Sequence, residues 1–111
     1  SDSFAATLSF AGGSRAVLVY TGLGDAGLPK ERLEIFKGGA ALVLDDFRAL
    51  HVHGGPGGTL TLPAQDKGVA AQWEAIGRRL RGEAAEVITL CEIEAAMRAT
   101  FRLDRSVRGE R

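Results

Sequence analysis

The chain carries a single cysteine, Cys91, which excludes an internal disulfide framework and fits a reducing compartment. Charge of one sign is also lacking. Fourteen basic side chains cancel fourteen acidic ones, so nothing points to nucleic acid or to an anionic membrane surface. No apolar run approaches the ~18 residues of a spanning helix, and no signal-peptide pattern is present. A cytoplasmic location is the expectation. What remains is ordinary for a globular protein: 45% hydrophobic and 25% charged residues over 111 positions, one domain's worth and enough to form a core. The opening Ser1-Asp2-Ser3-Phe4 has no initiator methionine and runs almost at once into strand-like sequence, as expected of a piece of a longer protein.

Glycine is abundant, and six residues, Gly22-Leu23-Gly24-Asp25-Ala26-Gly27, spell G-x-G-x-x-G after the apolar run Ala16 to Tyr20. A dinucleotide fingerprint needs a strand, a tight turn and then a helix whose N-terminus meets the pyrophosphate. It also needs an acidic residue roughly 20 positions on, where Asp45 and Asp46 stand. The segment between decides the matter. Pro29 suits a first helical position and Gly38 a stop, but Leu28, Leu33, Ile35 and Phe36 make no clean helical stripe. Taken as a strand, Leu33 and Ile35 face one way and Glu34 and Phe36 the other. The match is taken as a glycine-rich connection between strands.

Two periods divide the chain. Phe4, Ala6, Leu8 and Phe10 alternate with small or polar residues, and further strands are expected at Arg15–Thr21, Glu31–Phe36, Ala40–Asp45, Arg48–His53 and Thr59–Leu62. Gly12-Gly13, Gly38-Gly39, Asp46-Phe47 and Gly54 to Gly58 supply the turns. After Pro63 the period becomes helical. Val69, Ala70, Trp73, Ile76 and Leu80 share a face, with Trp73 assigned to the core and Gly82 to the helix stop. A second helix opens on Thr89-Leu90-Cys91-Glu92, a capping-box pattern, and Ile93, Met97, Thr100 and Phe101 continue its stripe. The expectation is an α+β domain: an open, predominantly antiparallel sheet of about six strands with two helices on one face. Arg15–Tyr20 and Ala40–Leu44 are apolar on both faces, which suggests a partner on the open side.

Candidate chemistry is sparse. His51 and His53 share a strand face at a spacing that metal sites use, but no third ligand pattern accompanies them, and no metal site is assigned. Cys91 sits in a first helical turn without a histidine nearby to act as base, and no catalytic residue is assigned. Arg98, Arg102, Arg105, Arg108 and Arg111 form a helical stripe, most simply a solvated cationic face. The loop from Tyr20 to Arg32 concentrates polar side chains beside a rigid sheet, a placement suited to ligand contact.

Four blocks in this order, Tyr20-Thr21 with Gly24-Asp25, Pro29 to Phe36, Val43 to Arg48, and Gln65-Asp66-Lys67-Gly68, resemble the C-terminal domain of Gfo/Idh/MocA-type oxidoreductases. The likeness is to the branch with sugar-related and polysaccharide-biosynthesis members, and it runs from about Phe4 to Arg108. It implies a substrate-side and oligomerisation domain of an NAD(P)-dependent enzyme acting on a sugar or cyclitol-like molecule. The NAD or NADP would be held by an upstream Rossmann domain and not by these residues, so this chain alone is expected to be inactive. It also implies association through the open sheet face, and places Pro29 to Phe36 on a strand. Asp25, Lys30 and Arg32 are then the expected substrate contacts, with Tyr20 at the pocket edge. Two positions depart from the family's pattern: Val69 stands where histidine is frequent, and Trp73 where a smaller apolar residue is usual. The alternative is a non-catalytic assembly module that dimerises through its open sheet face.

Overall fold

A computed structural model describes residues 3–109; Arg111, the last arginine of the cationic stripe, lies outside them. Six strands precede two helices: β1 Ser3–Ser9, β2 Arg15–Thr21, β3 Arg32–Lys37, β4 Ala40–Asp45, β5 Ala49–His53, β6 Thr59–Thr61, α1 Val69–Leu80 and α2 Leu90–Arg108. The class is α+β, and every strand pair is antiparallel. Hydrogen bonding divides the strands between a β1–β2 hairpin and a four-stranded sheet in the order β3-β4-β5-β6. The chain correspondingly forms two units, residues 1–25 with 88–111, and residues 26–87.

In the first unit, β1 and β2 pair without a bulge from Ser3↔Thr21 to Ser9↔Arg15. The pleat sets Phe4, Ala6 and Leu8 beside Tyr20, Leu18 and Ala16 on one face. Helix α2 begins with the capping box read from sequence. The Thr89 hydroxyl accepts from the Glu92 N–H at 3.3 Å, and the Glu92 carboxylate accepts from the Thr89 N–H at 2.8 Å. Those two bonds satisfy donors that a bare helix end leaves orphaned.

The second unit is a meander. Gly38 and Gly39 both hold positive φ, 59° and 81°, the conformation demanded by the tight turn that closes the β3–β4 hairpin. Register then sorts the side chains. Leu33, Leu44, Leu50 and Leu60 lie in one row across the four strands, and Ile35, Leu42 and Val52 form the next row on the same face. The opposite face carries Glu34, Val43, His51 and Thr59. Gly82 stops α1 as its position suggested: at φ 81°, its N–H reaches the Arg79 carbonyl and the Glu83 N–H reaches that of Arg78, a Schellman ending.

Helix–strand packing within each unit is sparse, since the extensive contacts are all between neighbouring strands. Among the described residues no side chain is buried. Trp73, expected in a core, is 69% exposed, and α1 makes no extensive contact with the sheet of its own unit. Amphipathic pattern is therefore present in sheet and helices, but none of the described apolar side chains is fully buried.

Candidate functional site

The polar residues of the second unit gather where the β4–β5 turn meets the loop entering α1. Asp46 and Phe47 form that turn with φ of 48° and 53°, and the Arg48 N–H closes it on the Asp45 carbonyl at 2.9 Å. Both central residues are left-handed, as a primed hairpin turn requires, yet neither is glycine. For Asp this is tolerable; for a bulky aromatic it is an outlier that surrounding structure must hold in place.

Two segments hold it. The Asp46 N–H donates to the Glu31 carbonyl at 2.7 Å, just before β3, and the Asp66 N–H donates to the Phe47 carbonyl at 3.1 Å. The Asp46 carboxylate accepts from Gln65 Nε2 at 2.8 Å. Above the turn, Lys67 Nζ pairs with Glu31 Oε1 at 2.9 Å and lies 5.6 Å from the centroid of the Phe47 ring. The Asp66 carboxylate turns back to accept from the Gly68 N–H at 2.8 Å, and Gly68, left-handed at φ 74°, becomes the N-cap of α1 without a side-chain cap. The Lys67–Glu31 pair is about half exposed on both sides, so its contribution is at most about 1 kcal/mol. The backbone bonds are the firmer part of the cluster.

The residues expected to touch substrate are divided between the two units. Tyr20 and Asp25 belong to the first unit and Lys30 and Arg32 to the second. Tyr20 stacks on Phe4 across the hairpin, with centroids 5.6 Å apart and planes at 23°. Arg32 pairs with Glu34 on its own strand at 2.8 Å, both side chains largely in solvent. Asp25 and Lys30 stand in the exposed loop between β2 and β3. After Gly27 comes turn and then strand β3, with no helix. The helix N-terminus on which a pyrophosphate would sit in a genuine fingerprint is therefore not formed by the Gly22–Gly27 segment.

His51 Nδ1 lies 3.1 Å from Thr59 Oγ1 on the adjacent strand, and among the described residues no three potential ligands are grouped for a metal ion. Cys91 is exposed in the first turn of α2. A groove of about 990 Å³ runs between β1 and α2, flanked by Ser3 to Phe10 and by Ala95, Ala99, Leu103 and Val107, with Arg98 and Arg102 at its side. No helix is long and apolar enough to cross a membrane among the described residues.

Sequence reading marked the β4–β5 turn and the Gln65–Gly68 block separately but did not join them. The Gln65–Asp46 bond that does so spans 19 residues, and the Lys67–Glu31 bond beside it spans 36, beyond any local pattern. The one local signal was Asp46 beside an aromatic residue in a short connection between two strands. No family model, curated protein or solved structure matches the chain.

Proposed function

We propose that this chain is an assembly domain, completed by a second copy through the open face of the β3–β6 sheet. The observation that carries this reading is the face itself. Leu33, Ile35, Leu42, Leu44, Leu50, Val52 and Leu60 lie together on it, and Leu33, Ile35 and Leu60 remain 51%, 46% and 61% exposed. Contiguous apolar surface of this kind marks protein contact, and burying a Leu or Ile contributes ~2 kcal/mol each. Sedimentation velocity tests it. Ile35→Lys, on the apolar face, should weaken self-association strongly, whereas Thr61→Lys, on the opposite face, should leave it intact. Equal behaviour of the two variants would remove the sheet face from the account.

A second reading is favoured by the convergence of Glu31, Asp46, Phe47 and Lys67. These come from three of the four blocks that resemble Gfo/Idh/MocA-type C-terminal domains. On that reading the chain is the substrate-side domain of an NAD(P)-dependent oxidoreductase acting on a sugar or cyclitol-like substrate. An upstream Rossmann domain would hold the cofactor, and Tyr20, Asp25, Lys30 and Arg32 would contact substrate hydroxyls. The chain alone should then show no binding of NADH or NADPH by calorimetry. In the enzyme carrying both halves, Asp25→Ala should raise KM or lower kcat while cofactor affinity stays unchanged. Wild-type kinetics in that variant would take Asp25 off the substrate.

A further inference from the structure

The hairpin of the first unit raises a question separate from the sheet face. Two antiparallel strands alone are at best marginally stable in water, and three or more are needed for independent stability. Strand β2 is hydrogen-bonded to β1 on one side only. Its other edge has none of the usual guards, proline, a bulge or a central charge, because Ala16 to Thr21 is uncharged and the ladder is regular throughout. Val17 and Val19 are 72% and 69% exposed.

We propose that β2 pairs edge to edge, antiparallel, with β2 of a second copy about a two-fold axis at Leu18, giving a continuous β1-β2-β2-β1 sheet. The proposal rests on the assembly reading and adds a second contact to the sheet face. That contact adds to what the sheet face alone offers: four strands of about five residues present a footprint of roughly 19 by 17 Å, and stable interfaces bury ~800 Å² of accessible surface per partner.

Register and charge select β2 as its own partner. Full antiparallel overlap sets Val17 opposite Val19, Ala16 opposite Tyr20, Leu18 opposite itself and Arg15 opposite Thr21, so β-branched and aromatic pairs form and no like charges meet. The same operation on β3 sets Arg32 opposite Lys37 twice, a destabilising arrangement. Strand β6 has only three residues. Along β1, the groove shared with α2 is flanked by Arg98 and Arg102, and a two-fold there would bring the guanidinium groups of both copies together. Among the four edges only β2 is uncharged along its length after Arg15, long and unobstructed by arginine.

Cysteine cross-linking of the full chain tests this directly. Opposed Cα atoms in an antiparallel pair lie ~4.5 or ~5.5 Å apart, within disulfide range. In a Cys91→Ser background, Leu18→Cys should give a covalent dimer on mild oxidation, whereas Thr7→Cys on β1 should not. As a second measurement, Leu18→Lys and Leu18→Glu should each raise the dimer dissociation constant about tenfold or more, equivalent to ~1.4 kcal/mol. Mixing the two should restore dimers as a heterodimer. A dimeric wild type whose Leu18→Cys variant does not cross-link, with no heterodimer from the mixture, would overturn the edge contact and leave the sheet-face reading standing. A monomeric wild type would overturn both.

Discussion

Phe47 shows how a single residue is held against its own preference. A left-handed backbone costs a bulky residue ~1–2 kcal/mol, and the ring recovers part of this by lying under Lys67 Nζ, worth ~0.5–1 kcal/mol at an exposed site. The two effects oppose each other, which gives an ordering. Phe47→Asn, tolerant of the left-handed region but without a ring, should shift stability by less than about 1 kcal/mol. Phe47→Val, β-branched at positive φ, should cost more than about 1 kcal/mol. Equal losses in urea unfolding would show that the turn is not held as described. Gly54 is constrained differently. Its φ is 70°, and an added Cβ would stand 2.5 Å from the Gly39 carbonyl oxygen. Gly54→Ala should therefore destabilise by about 2 kcal/mol or more; a neutral result by the same method would mean that the two hairpin turns do not approach each other.

At the scale of the element, the start of α2 is set by local chemistry. The Thr89 backbone and side-chain hydrogen bonds hold the Glu92 carboxyl below its ordinary value. A group whose folded pKa is depressed contributes stability above its unfolded pKa and loses it as pH falls through the folded one. The first turn of α2 should fray on acidification below the normal glutamate range, visible as faster amide exchange at Glu92 and Ile93. Exchange unchanged across that range would contradict the capping box. Thr89→Ala should cost α2 ~1 kcal/mol at neutral pH. This cap, both helices and the six strands to within a residue or so were legible in the sequence, because each rests on neighbours within a turn or a pleat. The division of strands between two sheets was not, since pairing depends on partners far along the chain. Neither was the joining of Glu31, Asp46, Gln65 and Lys67, for the same reason. Trp73 was misplaced because helical period identifies an apolar face but not what covers it.

At the scale of the whole molecule, two units each present amphipathic elements without burying a side chain among the described residues. Net folding stability is a small difference between hydrophobic gain and conformational entropy, and faces left in water contribute little to the gain. Protein supplied by another copy is what the account adds, through the leucine-rich face of β3–β6 and the open edge of β2. Folding and association should consequently be linked, so that thermal stability rises with protein concentration. The most direct measurement is the light-scattering mass of the chain through a dilution series. A mass above the 11.7 kDa of one chain is expected at high concentration, falling on dilution together with loss of structure. A folded species of 11.7 kDa at every concentration, with a melting temperature independent of dilution, would contradict it.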